Sequence, residues 1–137
     1  MPTADQAPSE VQAPSEARPT GQILDQKIIA DWESFLPEDQ FAELISTHAS
    51  EARNYMERLK AAAESGALDE VGRIAHDLKS TCGSLGMLQA QDIANNIEKA
   101  CRGGENETAL SLLAGVDEAM VAAMAALESR YPKILAA

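Results

Sequence analysis

Residues 68–86 of the sequence, LDEVGRIAHDLKSTCGSLG, carry two stripes of side chains at helical spacing. The first stripe is apolar and recurs every three or four residues, which is the period of a helix that packs one face into a core. Its members are Leu68, Val71, Ala75, Leu78, Cys82 and Leu85. The stretch therefore predicts a helix over about residues 68–85 with one buried face.

The same periodicity occurs on both sides of this stretch and predicts four more helices. They run from about Asp25 to Phe35, from Pro37 to Gly66, from Leu88 to Arg102 and from Glu107 to Arg130. The connections are short, so consecutive helices must run antiparallel. We expect an all-α protein: an antiparallel up-and-down four-helix bundle with a short additional N-terminal helix and no sheet. The apolar side of the N-terminal helix is formed by Ile28, Ile29, Trp32 and Phe35.

The 137-residue chain is strongly acidic, with 11 Lys and Arg against 22 Asp and Glu and a formal net charge of −11. This charge repels nucleic acid and anionic membrane surfaces, so we expect binding to neither. No signal peptide and no apolar stretch of membrane-spanning length is evident, and we expect a cytoplasmic protein. Cys82 and Cys101 lack metal-binding spacing, so we expect reduced thiols, no metal site and no cofactor.

The N-terminal residues 1–21 differ in composition from the rest of the chain. They contain four prolines and few large apolar residues, and the sequence QAPSE occurs at 6–10 and again at 12–16. We interpret them as a flexible Pro-rich leader. Residues 22–132 would form the bundle and residues 133–137 a C-terminal tail. The leader is compatible with a linker in a longer protein, whereas Met1 is equally compatible with a free-standing one.

The second stripe in residues 68–86 combines a histidine and a lysine with glycines; it consists of Gly72, His76, Lys79, Gly83 and Gly86. Glycine inside a helix costs about 1 kcal/mol relative to alanine, so two of them on one face require a reason. Close approach of a partner or of a phosphoryl group would supply it. Histidine is a competent nucleophile near neutral pH, and a lysine one turn away can meet an anion on its ring. These features favour a phosphate-accepting histidine, and an ordinary surface histidine beside a lysine is the alternative.

The segment from His76 to Gly86, HDLKSTCGSLG, resembles the signature of histidine-containing phosphotransfer (HPt) domains. In that signature H-x-L-K-G precedes a run of small residues and a later glycine. The flanking residues 66–71 and Ile97-Glu98 are also similar, so the resemblance covers about residues 23–131. It implies a four-helix bundle in which the active histidine is exposed midway along one helix.

Two positions depart from the pattern of the family. Ser80 stands where a glycine is most common, which narrows the clearance beside the histidine and bears on which receiver domain can dock. His48 stands where a large apolar residue is usual. We interpret His48 as a hydrogen-bonded histidine at the edge of the core rather than as a second phosphorylation site.

The resemblance also implies roles for individual residues. His76 would accept a phosphoryl group at Nε2 from the phospho-aspartate of a receiver domain and pass it to the aspartate of another response regulator. Lys79 would offset the phosphoryl charge, with Ser80 and Gly83 supporting the site. Glu98 would accept the Nδ1 proton and fix the tautomer, although an exposed ion pair with Arg102 is an equally good interpretation.

The partners implied are receiver domains of response regulators and of hybrid sensor histidine kinases. They would dock on a face that includes Gly72, Arg73, Gln91 and Asn95. No nucleotide-binding loop is present, so the chain would be a monomeric carrier without ATP-dependent kinase activity, and its status as an enzyme is left open. Two alternatives remain: an adaptor or kinase regulator that keeps the fold without using the histidine, and a phosphoryl-accepting module of a larger sensor or chemotaxis kinase.

Overall fold

The computed structural model describes residues 23–135, and within them the chain is helical without a strand. The helices are α1 (Gln26–Phe35), α2 (Glu38–Glu64), α3 (Leu68–Ser84), α4 (Leu88–Arg102), α5 (Asn106–Ser111), α6 (Leu113–Arg130) and α7 (Pro132–Leu135). The predicted leader, residues 1–21, and the last two residues of the predicted tail lie outside the described residues.

The predicted all-α bundle is confirmed, with α2, α3, α4 and α6 as its long helices. The α3 helix packs against α4 on one side and α2 on the other, and α4 also packs against α6. The apolar stripes meet in one core whose largest fully buried side chains include Ile45, Leu59, Leu78, Leu85, Met87, Ile97 and Leu127. The apolar stripe of α3 faces this core, and the second stripe lies beside α4, with His76 exposed.

Glycines with positive φ form the three turns between the long helices, at Gly66 (77°), Gly86 (72°) and Gly104 (75°). Gly86 has a second constraint, because a Cβ at this position would lie 2.7 Å from the backbone oxygen of Asp25. The Asp25 N–H in turn donates to the Gly86 carbonyl at 2.7 Å. The turn between α3 and α4 is therefore the place where the start of α1 is attached to the bundle.

Helix α1 lies across this end of the bundle, and its buried face differs from the predicted one at Phe35. Ile29 is fully buried and Trp32 Nε1 donates to the Ser84 carbonyl at 3.0 Å, but Phe35 is 80% exposed. Leu36 packs against the core in place of Phe35. Each residue rotates about 100° around a helix, so Leu36 falls on the same face as Ile29 and Trp32, whereas Phe35 points away.

The C-terminal part of the chain also departs from the prediction. The single helix expected over residues 107–130 is divided into α5 and α6 at Leu112, whose N–H donates to the Ala109 carbonyl in a tighter i→i−3 turn. Helix α6 ends at Arg130 as expected, but Pro132 begins α7, so residues 133–135 are helical where a tail over residues 133–137 was predicted. Proline is favoured in the first turn of a helix because its missing N–H has no intrahelical partner there.

Residues Asn106–Arg130 also correct the expectation that no apolar stretch reaches membrane-spanning length. By length and composition alone this segment could cross a membrane, since its most apolar window has a mean hydropathy of 1.7. The same test is passed by core helices of bundles, and here Val116, Met120 and Leu127 are buried in the core.

Candidate functional site

His76 lies midway along α3, on the face turned away from the core. Its side chain is 56% exposed. The apolar stripe of α3 fixes this orientation, because Ala75 and Leu78, the buried residues on either side of it, have no exposed surface. The histidine is therefore exposed midway along a helix, as predicted.

Glu98 on α4 faces His76 from the neighbouring helix, and its side chain is only 8% exposed. Its Oε2 lies 2.9 Å from His76 Nδ1, and its Oε1 accepts from Lys79 Nζ at 2.8 Å. Arg102 Nη2, one turn further along α4, donates to Oε2 at 2.6 Å. Glu98 thus contacts both His76 and Arg102, and its carboxylate is buried where the alternative interpretation expected an exposed ion pair with Arg102.

The environment of Glu98 acts on its pKa in two opposite directions. Burial raises the pKa, whereas the hydrogen bonds and positive charge of Lys79 and His76 lower it, and the net pKa is below the ordinary value. The carboxylate is thus ionised near neutral pH and can only accept hydrogen bonds. Nδ1 of His76 must then carry the proton, which leaves the lone pair on Nε2.

The side chain of Lys79 is more buried, and has more contacts, than its position in the sequence suggests. Its side chain is 28% exposed, and its ammonium contacts Asn95 Oδ1 at 3.4 Å as well as Glu98. Asn95, which was expected on the docking face, is half-buried and contacts Lys79 of the same chain.

A groove of about 510 Å³ runs from His76 toward the start of α3, lined by Leu68, Asp69, Gly72, Arg73, His76, Asp77, Glu98, Cys101 and Arg102. Gly72 forms part of its wall, at a point where α3 packs against α4. A Cβ at Gly72 would lie 3.2 Å from Cys101 Cβ, tighter than most van der Waals contacts. Helix packing within the chain is thus a reason for this glycine in addition to the expected close approach of a partner or of a phosphoryl group.

Gly83 also has a close neighbour within the chain. A Cβ there would lie 2.5 Å from Nε2 of Gln91, so the side chain of Gln91 occupies the space above the glycine. Ser80 and Arg73 are exposed on α3 on either side of His76, and Arg73 pairs with Glu70 at 2.6 Å. The predicted residues thus surround His76 along α3 and α4, but Gly72, Gly83 and Asn95 have contacts within the chain.

Sequence reasoning had assigned no part in the site to Asp69 and Cys101 and had treated Arg102 only as an alternative partner of Glu98. The i,i+4 spacing of Glu98 and Arg102 was the available signal for their contact. For Cys101 no signal existed, because the register between two helices is not written in either of them. His48 is half-buried and its Nδ1 lies 2.9 Å from the Leu44 carbonyl, as expected for a histidine at the core edge. Within residues 23–135 no group of three or more His, Cys, Asp or Glu side chains could hold a metal ion.

Comparisons with known proteins agree with this geometry. The family model of the Hpt domain matches residues 43–130. The fold is similar to that of the crystal structure of histidine-containing phosphotransfer protein B (HptB) from Pseudomonas aeruginosa PAO1, with a TM-score of 0.76 and 18% sequence identity over 82% of this chain and 97% of that chain. No curated protein sequence matches the chain. Because the family model covers more than half of the chain, the protein belongs to the Hpt domain family, the phosphotransfer carriers of two-component signalling.

Proposed function

We propose that the protein accepts a phosphoryl group on Nε2 of His76 from the phospho-aspartate of one receiver domain and passes it to the aspartate of another. The observation that carries the proposal is the contact between Nδ1 of His76 and the buried Glu98 carboxylate at 2.9 Å. This contact holds the proton on Nδ1 and turns the other ring nitrogen, on a side chain that is 56% exposed, into the nucleophile.

The transfer step is balanced without a further reactant in this chain. The Nε2 lone pair forms a bond to phosphorus, the bond between phosphorus and the aspartyl oxygen breaks, and the aspartate leaves as a carboxylate. The proton stays on Nδ1, so the phosphorylated ring carries a positive charge, which the Glu98 carboxylate stabilises. Return transfer to a second receiver aspartate follows the same path in reverse, which suits a carrier.

Lys79 supports the proposal through its position one helical turn from His76. Its ammonium is held by Glu98 at 2.8 Å, and the phosphoryl oxygens would become a second group of acceptors for it. The receiver would dock on the surrounding face, with Arg73, Ser80 and the Gln91 side chain beside the histidine. We further propose that the chain works as a monomer in the cytoplasm.

The test is transfer of radiolabelled phosphate from a phosphorylated receiver domain to the wild-type chain and to two variants. His76→Gln removes the proposed nucleophile. His48→Gln is the matched control, since the sequence has 2 histidines and His48 is the other one. We expect label on the wild type and on His48→Gln, stable in base and labile in acid, and none on His76→Gln.

The stability of His76→Gln excludes a trivial explanation of lost labelling. Because a glutamine amide can still donate to the Glu98 carboxylate, the substitution should change the free energy of unfolding by no more than about 1 kcal/mol, measured by urea denaturation. Label on His76→Gln would contradict the proposal. Receivers that bind the wild type without transferring label would favour an adaptor that keeps the fold but not the chemistry.

A further inference from the structure

Arg102 contacts the atom of Glu98 that faces the histidine. Its Nη2 lies 2.6 Å from Oε2, the oxygen that is also 2.9 Å from His76 Nδ1, whereas Lys79 contacts Oε1. The Arg102 side chain is 70% exposed and lines the groove beside His76. A single oxygen atom therefore connects the guanidinium to the imidazole.

An ionised carboxylate beside an imidazole has two effects on the ring. It holds one proton on Nδ1, which makes Nε2 the nucleophile, but its negative charge also favours a second proton on Nε2. The second proton removes the lone pair and with it the capacity to attack phosphorus. A cation on the same oxygen reduces the second effect because it lowers the net negative charge near the ring, and it leaves the hydrogen bond to Nδ1 in place.

Building on the function proposed above, we propose that Arg102 is a positioning residue for phosphoryl transfer. It holds Oε2 of Glu98 against Nδ1 of His76 and offsets part of the carboxylate charge that would otherwise favour a second proton on Nε2. Arg102 does this through Glu98 and does not itself need to contact the phosphoryl group.

The other titratable groups that line the groove beside the ring, together with Lys79, lie on α3 and α4. They are Asp69, Arg73, Asp77 and Lys79 on α3 and Cys101 on α4. Arg73 resembles Arg102 in every respect except its partner: it lines the same groove, is 69% exposed and has an ion-pair distance of 2.6 Å, but to Glu70. It is therefore the matched control for a charge effect that passes through Glu98.

The experiment compares Arg102→Gln with Arg73→Gln by NMR titration of the His76 ring and by the pH dependence of phosphoryl acceptance. In Arg102→Gln we expect the ring to take up its second proton at a higher pH than in the wild type, because the carboxylate beside the ring loses a neighbouring positive charge. The acid limb of the rate profile should move in the same direction, and the rate above it should fall, because Oε2 is no longer held against Nδ1. Arg73→Gln should leave the ring titration unchanged, and Arg102→Lys, which restores the charge, should move the midpoint back toward the wild type.

The two readouts separate failure of this proposal from failure of the proposed function. The NMR titration needs no receiver, so a shift in Arg102→Gln supports the role of Arg102 even if the wild type takes no label. An unshifted ring titration in Arg102→Gln would overturn the role of Arg102. So would an equal shift in Arg73→Gln, or a midpoint in Arg102→Lys that stays with the midpoint of Arg102→Gln.

Discussion

Glu98 is a buried charge that is compensated from three sides. A carboxylate taken out of water is strongly destabilising unless hydrogen bonds and opposite charges replace its hydration. His76, Lys79 and Arg102 supply them, at 2.9, 2.8 and 2.6 Å. The same residue therefore orders the histidine and contributes to the attachment of α4 to α3, so that the site and the helix pair depend on one ionised group.

The ionisation of Glu98 predicts a pH dependence of stability. Its pKa in the folded protein lies below the ordinary value of 4.5, so the folded state favours the ionised form and gains stability from it at all pH values above 4.5. This contribution is lost as the pH falls from 4.5 through the lower folded pKa. Urea denaturation between pH 7 and pH 3 should therefore show a steeper loss of stability for the wild type than for Glu98→Gln.

The Gln variant removes the charge while keeping an acceptor oxygen near Nδ1. At pH 7 we expect it to be less stable by roughly 1 kcal/mol, because hydrogen bonds to a charged group are replaced by weaker ones. The difference should shrink on acidification, since the wild-type carboxyl then becomes neutral too. Parallel stability curves for the two proteins from pH 7 to pH 3 would contradict the assignment of an ionised buried Glu98.

The extent to which the site could be predicted differs from residue to residue. His76 and Lys79 share one helix, so their spacing was sufficient to place them together. Glu98 required the register of α4 against α3, which the sequence leaves open and the resemblance to HPt domains supplied. The packing of Gly72 against Cys101 depends on the same register, because Cys101 belongs to the other helix.

At the scale of elements, the turn between α3 and α4 controls the placement of α1. Gly86 combines a φ of 72° with a backbone contact, since a Cβ there would lie 2.7 Å from the Asp25 oxygen. Gly104 has nearly the same φ, 75°, and nothing within 4 Å of the position of a Cβ. A comparison of alanine substitutions at the two glycines therefore distinguishes the energetic cost of conformational strain from the cost of disturbing the contact with α1.

We expect Gly104→Ala to lower the free energy of unfolding by about 1 kcal/mol, the cost of a left-handed alanine. Gly86→Ala should cost a further 1–3 kcal/mol or so, because the Asp25 backbone must move and cannot rotate aside as a side chain can. Trp32 fluorescence should change in Gly86→Ala alone, since its indole N–H is bound to the Ser84 carbonyl beside this turn. Equal destabilisation of the two variants would show that the contact with α1 carries no energy.

The helices themselves were largely predictable, because apolar periodicity and terminal glycines act within a few residues. The exceptions lie where a residue has two competing possibilities. Phe35 and Leu36 are adjacent apolar residues at the end of α1, and only packing against the bundle decides that Leu36 is buried and Phe35 is not. Pro132 can end one helix and begin another, and the apolar side chains of Ile134 and Leu135, packed against the core, favour the second helix.

At the scale of the whole molecule, the two cysteines lie in different parts of the fold and differ in exposure. Cys82 lies in the core with no exposed surface, its Sγ 3.5 Å from Met120 Sδ on α6, and burial raises its pKa to about 12. Cys101 is only partly buried, in the wall of the groove beside His76, and its pKa is raised by burial and by the charge of Asp69. The thiolate of Cys82 is therefore available only after the bundle opens.

Labelling with a thiol reagent at pH 8 should accordingly modify one thiol per native chain, at Cys101, more slowly than a free cysteine. In Cys101→Ser, which leaves Cys82 alone, we expect labelling to be slower by at least about 10³-fold, because only the small open fraction of a stable domain can react. Urea below the unfolding transition should raise that rate in parallel with the unfolded fraction. Complete labelling of native Cys101→Ser within minutes would mean that α3 and α6 separate without unfolding of the bundle, and would contradict a core shared by all four long helices.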